Sequence, residues 1–126
     1  MKEAKMSRII LVVEDQEDNR RIMRDLLTSA GYEVIEALTA EAGVISAETH
    51  RPDLILMDIQ LPDFDGYEAT RRIKSNAALS SVPVIAVTSY ALSGDDIKAY
   101  DAGCDAYVSK PFSPRGLLAK IREFLP

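Results

Sequence analysis

At 126 residues, 47% of them apolar, the chain suits one domain whose core is large enough to fold without disulfides or metal staples. Lys and Arg number 15 against 20 Asp and Glu, and the resulting charge of −5 argues against direct binding to nucleic-acid phosphates. One cysteine excludes an internal disulfide and fits a reducing compartment, and with 28% charged residues the composition argues against disorder.

The first apolar run, Ile9 to Val13, is too short for a membrane span or for the apolar stretch of a signal peptide, and no small-residue cleavage site follows it. A cytoplasmic protein without membrane contact is the expectation. Residues 17–30 read as a helix with Ile22, Met23, Leu26, Leu27 and Ala30 on one face and Arg20, Arg21, Arg24 and Asp25 largely elsewhere. Gly31 stands where such a helix ends. A second apolar run covers Val34 to Ala37, and Thr39 caps a helix that reaches about Glu48 before Arg51-Pro52 closes the connection. The third run is Leu54 to Met57. Pro62 to Gly66 forms a turn, and a third helix runs to about Ser75. Val82-Pro83 introduces the fourth run, Val84 to Val87. Ser93-Gly94-Asp95-Asp96 resembles a capping box for a fourth helix, which Gly103 ends. The fifth run is Ala106 to Val108. Ser113-Pro114 then supplies a cap and a first-turn proline for a last helix that buries Leu117, Leu118, Ile121, Phe124 and Leu125.

Short β-branched runs that are apolar at successive positions predict strands buried on both faces, as in a parallel sheet covered by helices. Their alternation with helices predicts a single doubly wound α/β domain over residues 1–126. Ligands of such sheets sit at the carboxyl ends of the strands. Four of the five runs finish there at a polar group: Glu14-Asp15, Asp58, Thr88 and, just past the fifth, Lys110-Pro111. Three crowded carboxylates repel unless a cation or a proton relieves them. Oxygen donors alone point to magnesium or another hard ion, and His50 and Cys104 are too solitary to form a zinc site. Lys110 and Thr88 are suitable groups for phosphate oxygens, and Asp58 on the central strand is placed to act as a carboxylate nucleophile. The residues therefore predict a magnesium-assisted phosphoryl site.

With these residues in view, the chain resembles a response-regulator receiver domain over about residues 7–125. The matching pieces are Val12-Val13-Glu14-Asp15, Pro52-Asp53-Leu54-Ile55-Leu56-Met57-Asp58, Leu61-Pro62 with Asp65-Gly66, Val87-Thr88-Ser89, and Tyr107-Val108-Ser109-Lys110-Pro111. Asp58-Ile59-Gln60-Leu61-Pro62 is similar both to single-domain receivers of the cell-division type and to receivers of hybrid kinases. The resemblance implies a five-stranded flavodoxin-like sheet of order 2-1-3-4-5. It implies that Asp58 is the phospho-acceptor, that Asp15 binds Mg2+ directly, with Mn2+ as a substitute, and that Glu14 contributes directly or through water. It further implies a metal-ligating backbone carbonyl at Gln60, phosphoryl contacts from Thr88 and Lys110, a Thr88–Tyr107 switch and a cis Lys110–Pro111 peptide. Gln16 and Asn19 would dock a histidine-bearing donor, either a histidine kinase or a histidine phosphotransfer protein. Gln60 and Tyr90 would tune hydrolysis. The output would be contact with a downstream protein.

Taken singly, these residues have plainer readings. Glu14-Asp15 suits a solvated strand end, Lys110 the surface, and Asp63 and Asp65 a turn. An aspartate-nucleophile phosphatase, similar to the haloacid-dehalogenase family, would need a second Asp at position 60, where Gln60 stands. Flavin binding would need a phosphate-cradling loop where Glu14-Asp15 lies. A receiver-shaped binding module that is never phosphorylated is the remaining alternative.

Overall fold

Parallel pairing of five short Val-, Ile- and Leu-rich runs builds the sheet. The computed structural model describes residues 8–88 and 95–126. The strands are β1 (Ile9–Val13), β2 (Glu33–Ala37), β3 (Leu54–Asp58), β4 (Val84–Thr88) and β5 (Ala106–Ser109). All pair in parallel, in the order β2-β1-β3-β4-β5. The helices between and after them are α1 (Glu17–Ser29), α2 (Ala40–His50), α3 (Gly66–Lys74), α4 (Asp95–Asp101) and α5 (Pro114–Phe124).

Side-chain alternation along the strands divides the core in two. Ile10 and Val12 of β1 join Leu54 and Leu56 of β3 beneath Met23 and Leu27 of α1 and Leu117 and Ile121 of α5. Leu11, Val13, Ile55 and Met57 face the other way, toward Ala40 and Ala47 of α2, Ala69 and Ile73 of α3 and Ala99 of α4. A strand covered on both faces needs apolar residues at every position, which is why β1, β3 and β4 read as unbroken runs. The edge strand β2 is only partly buried, and it carries Glu33 and Glu36.

Local chemistry sets the element ends. Thr39 accepts a hydrogen bond from the Ala42 amide, Asp65 from Glu68, and Ser113 from Gly116. Gly31, at φ +95°, takes the left-handed turn that ends α1. The expected capping residues Ser93 and Gly94 lie outside the described residues, as do Ser89, Tyr90 and Ala91. Two expectations for buried faces are corrected. Ile22 is 52% exposed, because the i, i+4 stripe of α1 runs through Met23 and Leu27 and leaves Ile22 off it. Leu118 and Phe124 are only partly buried at the margin of the α5 contact.

At the opposite end of the sheet from the strand carboxyl ends, Lys74 ties two connections together, the one after α3 and the one before β5. Its ammonium donates to the carbonyls of Val82 (2.7 Å) and Ser80 (3.3 Å) and to Asp105 Oδ2 (3.0 Å). The same Asp105 oxygen accepts from the Val84 amide at 2.8 Å. Lys74→Met is expected to cost about 1–2 kcal/mol, through lost charge-assisted hydrogen bonds. A lowered urea midpoint with unchanged slope would show it, and a midpoint equal to wild type would contradict it. Among the described residues no helix is long and apolar enough to cross a membrane.

Candidate functional site

Strand register brings the site together. Val13 of β1 lies beside Met57 of β3, Asp58 beside Val87, and Thr88 beside Ser109. Glu14-Asp15, Asp58, Thr88 and Lys110 therefore meet at one edge, where the connections leaving the paired strands β1 and β3 run to opposite halves of the sheet. Carboxylate oxygens of Glu14, Asp15 and Asp58 lie within 4.8 Å of one another. A cleft of about 310 Å³ opens there, lined by Asp15, Gln16, Asn19, Asp58, Gln60 and Lys110.

Burial separates the three acids. Glu14 is fully buried and Asp58 is 5% exposed, whereas Asp15 is half-buried. The plain reading of Glu14 as a solvated strand end is thus overturned. Its Oε1 accepts from Lys110 Nζ at 2.7 Å and its Oε2 from the Gln16 amide at 3.1 Å. The Lys110 ammonium also reaches Asp58 Oδ1 at 3.5 Å, so a single cation bridges two buried carboxylates. The Lys110–Pro111 peptide is cis, and the Lys110 amide donates to the Thr88 carbonyl at 2.7 Å. Thr88 is buried, and Tyr107 is partly buried against the α2–α3–α4 side of the core.

Burial, followed by repulsion from Glu14, raises the Asp58 carboxyl from 3.8 to about 6, against the opposing pull of Lys110 and of the Gln60 amide. The folded chain therefore binds more protons than the unfolded chain between these values, and stability falls as pH rises from about 4 to about 6. Asp58→Asn removes that penalty. In chelator it is expected to stabilise the fold above pH 6 by about 1–3 kcal/mol, with the gap narrowing as pH falls toward 4. Thermal melts of both proteins across this range would check it, and a gap independent of pH would contradict it.

The turn after β3 carries Gln60 and is anchored at several points. Asp63 accepts from the amides of Ala40 and Glu41, both at 2.9 Å, so it caps α2 across the fold and does more than shape its own turn. Arg72 stacks 4.1 Å over the Phe64 ring. Arg20, which the sequence sets off the apolar face of its helix, donates to the carbonyls of Glu14 and Asp15. Its place five residues after Asp15 was the signal available, and only the fold brings Glu36 of β2 opposite it. Cys104 is buried, with its thiol pushed up to about 11, which makes it a packing residue.

Comparison with known proteins agrees with this fold and shows its family. The model of the response regulator receiver domain matches residues 10–122, and the chain belongs to that family. It is a receiver domain of two-component signalling. It is 42% identical over 120 residues to the polar-differentiation response regulator DivK of Brucella anthropi, covering 95% of this chain and 98% of the relative. Among solved structures, the receiver domain of sensor histidine kinase PA1611 from Pseudomonas aeruginosa PAO1 superposes with TM-score 0.88 at 39% identity, over 94% of this chain and 98% of that one. That structure has a magnesium ion coordinated in its active-site cleft. A CheY-like receiver domain protein from Methanospirillum hungatei JF-1 superposes with TM-score 0.87 at 36% identity, over 93% of this chain and 92% of that one.

Proposed function

We propose that Asp58 accepts a phosphoryl group from a histidine-bearing donor and that the modified site changes the face offered to a partner protein. The observation that carries this reading is the Lys110 ammonium set between two buried carboxylates, Glu14 and Asp58, at the mouth of an open cleft. The donor set fits a hard divalent cation: three carboxylates within 4.8 Å, all oxygen. Glu14, Asp15, Asp58 and the Gln60 backbone carbonyl would hold Mg2+, with Mn2+ as a substitute. When bound, the ion supplies positive charge opposite the phosphoryl oxygens.

The remaining chemistry belongs to the chain. A carboxylate oxygen of Asp58 forms the new P–O bond as the P–N bond to the donor histidine breaks. The imidazole nitrogen leaves with the electron pair. Lys110 exchanges its hold on Asp58 for a phosphoryl oxygen, and the Thr88 hydroxyl donates to another. Charge and acceptor atoms at residue 58 then bias Thr88 and Tyr107, which lie on adjacent strands, toward a second arrangement. Gln16 and Asn19 line the same cleft as Asp58, which supports their role in docking the donor, a histidine kinase or a histidine phosphotransfer protein. We read residues 1–126 as one cytoplasmic receiver domain, acting through proteins and not through nucleic acid or membrane.

Incubation with acetyl phosphate and Mg2+ tests the reading. Intact-protein mass is expected to show one added phosphoryl group, absent in chelator and absent from Asp58→Asn. An unmodified wild-type chain, under acetyl phosphate and under a phosphorylated histidine protein alike, would overturn it.

A further inference from the structure

The acidic turn after β1 is held from two sides. From within, Glu14 Oε2 accepts from the Gln16 amide at 3.1 Å. From outside, the Arg20 guanidinium places Nη1 3.2 Å from the Glu14 carbonyl and 3.4 Å from the Asp15 carbonyl. Its Nε donates to Glu36 Oε1 on β2 at 2.9 Å. Glu36 is itself fixed by Arg24, whose Nη1 lies 3.3 Å from Oε1 and 3.2 Å from Oε2. The Arg20 side chain is only 13% exposed, so these bonds are shielded from competing water.

We propose that Arg20 is a positioning residue for the divalent-cation site, fixing the Glu14–Asp15 backbone against the Glu36 anchor on β2. The proposal rests on the reading that these acids bind Mg2+. The hydrogen bonds of Arg20 go to the two backbone carbonyls and to Glu36. Its effect is therefore on where the Asp15 and Glu14 side chains start from. A ligand must sit within a few tenths of an ångström of its working position, and the bonds behind the ligands set that position. A planar guanidinium can serve both carbonyls and Glu36 at once, whereas an ammonium has no such fork.

Charge and geometry here predict opposite signs. Arg20 is a cation beside an acidic cluster, so removing it deepens the negative field and on charge alone would tighten Mg2+ binding. If Arg20 positions the turn, removing it loosens the ligands and weakens binding. Calorimetric titration of the full chain with Mg2+ at fixed ionic strength distinguishes the two, with wild type, Arg20→Gln, Arg20→Lys, Glu36→Gln and Asp15→Asn compared. Arg20→Gln is expected to raise Kd about tenfold, with Arg20→Lys failing to restore it despite keeping the charge. Glu36→Gln is expected to weaken binding less, and Arg20→Lys, which keeps the charge and loses the fork, carries the test if Arg20→Gln does not fold. An unchanged or lower Kd in Arg20→Gln, whatever its melting temperature, overturns the proposal and leaves the metal site standing. No binding by wild type, or binding that survives Asp15→Asn, overturns both.

Discussion

Lys110→Met is expected to lower stability by about 3 kcal/mol in chelator at neutral pH and to slow phosphoryl acceptance by at least about a hundredfold. The reason is the company Lys110 keeps. Its ammonium lies 2.7 Å from Glu14, which has no exposed surface, and 3.5 Å from Asp58, whose side chain is 6% exposed. Methionine matches the stem but leaves two buried carboxylates facing each other. Removing one partner of a buried ion pair is costlier than the pair was stabilising, because the remaining charge is neither solvated nor compensated. Lowering the pH would reduce the loss, since Asp58 already takes its proton at about 6. Saturating Mg2+ would restore part of the stability by supplying the missing positive charge, but not the phosphoryl contact. Urea melts with and without Mg2+, beside the acetyl phosphate rate, separate the two effects. A chelator midpoint equal to wild type would contradict the account of the buried cluster.

The second large effect is expected at Gly66, the first residue of α3. A Cβ built there falls 2.2 Å from the Asp58 carbonyl oxygen and 2.9 Å from the Ile59 Cα. Both are backbone atoms, one in the last residue of β3 and the other in the residue after it, and the Gly66 amide donates to the Ile59 carbonyl at 2.8 Å. Neither side can yield without moving α3 or the end of β3. Gly66→Ala should therefore cost about 3 kcal/mol by overpacking and also impair Mg2+ binding and phosphorylation, although residue 66 carries no chemistry. Gly31→Ala is the control. A Cβ there meets nothing within 4 Å, but φ is +95°, so the expected loss is about 1 kcal/mol of backbone strain with the site intact. Equal stability of Gly66→Ala and wild type would show that the close approach is not rigid.

Much of this fold was legible in the sequence because its signals are local. Each strand contains a short apolar run, and Thr39 and Ser113 stand one residue before their helices as expected, while Asp65, read as a turn residue, also caps α3. The strand-end polar residues were legible for the same reason, since a parallel sheet gathers its carboxyl ends at one edge. Depth was not legible. Glu14 looks like the solvated end of a strand, and only the pairing of β1 between β2 and β3, with Lys110 folded over it, removes it from water. Long-range polar ties were also missed. Arg20 reads as one more arginine on a charged helix until Glu36 of β2 is placed opposite it. Asp63 reads as a turn former until α2 presents its free amides there. Ile22 fits an apolar stripe in sequence but falls outside it, beside a cavity lined also by Asn19, Lys110, Pro111 and Phe112.

The central claim is that the Asp58 side chain itself carries the phosphoryl group, and the most direct measurement captures it chemically. The chain is incubated with Mg2+ and a phosphodonor, treated with borohydride to reduce the acyl phosphate, and digested for peptide mass analysis. The account predicts homoserine at position 58 and unreduced aspartate or glutamate at positions 14, 15, 63 and 65. A phosphoryl adduct on the intact chain with residue 58 recovered as aspartate, and homoserine or phosphate elsewhere, would contradict it.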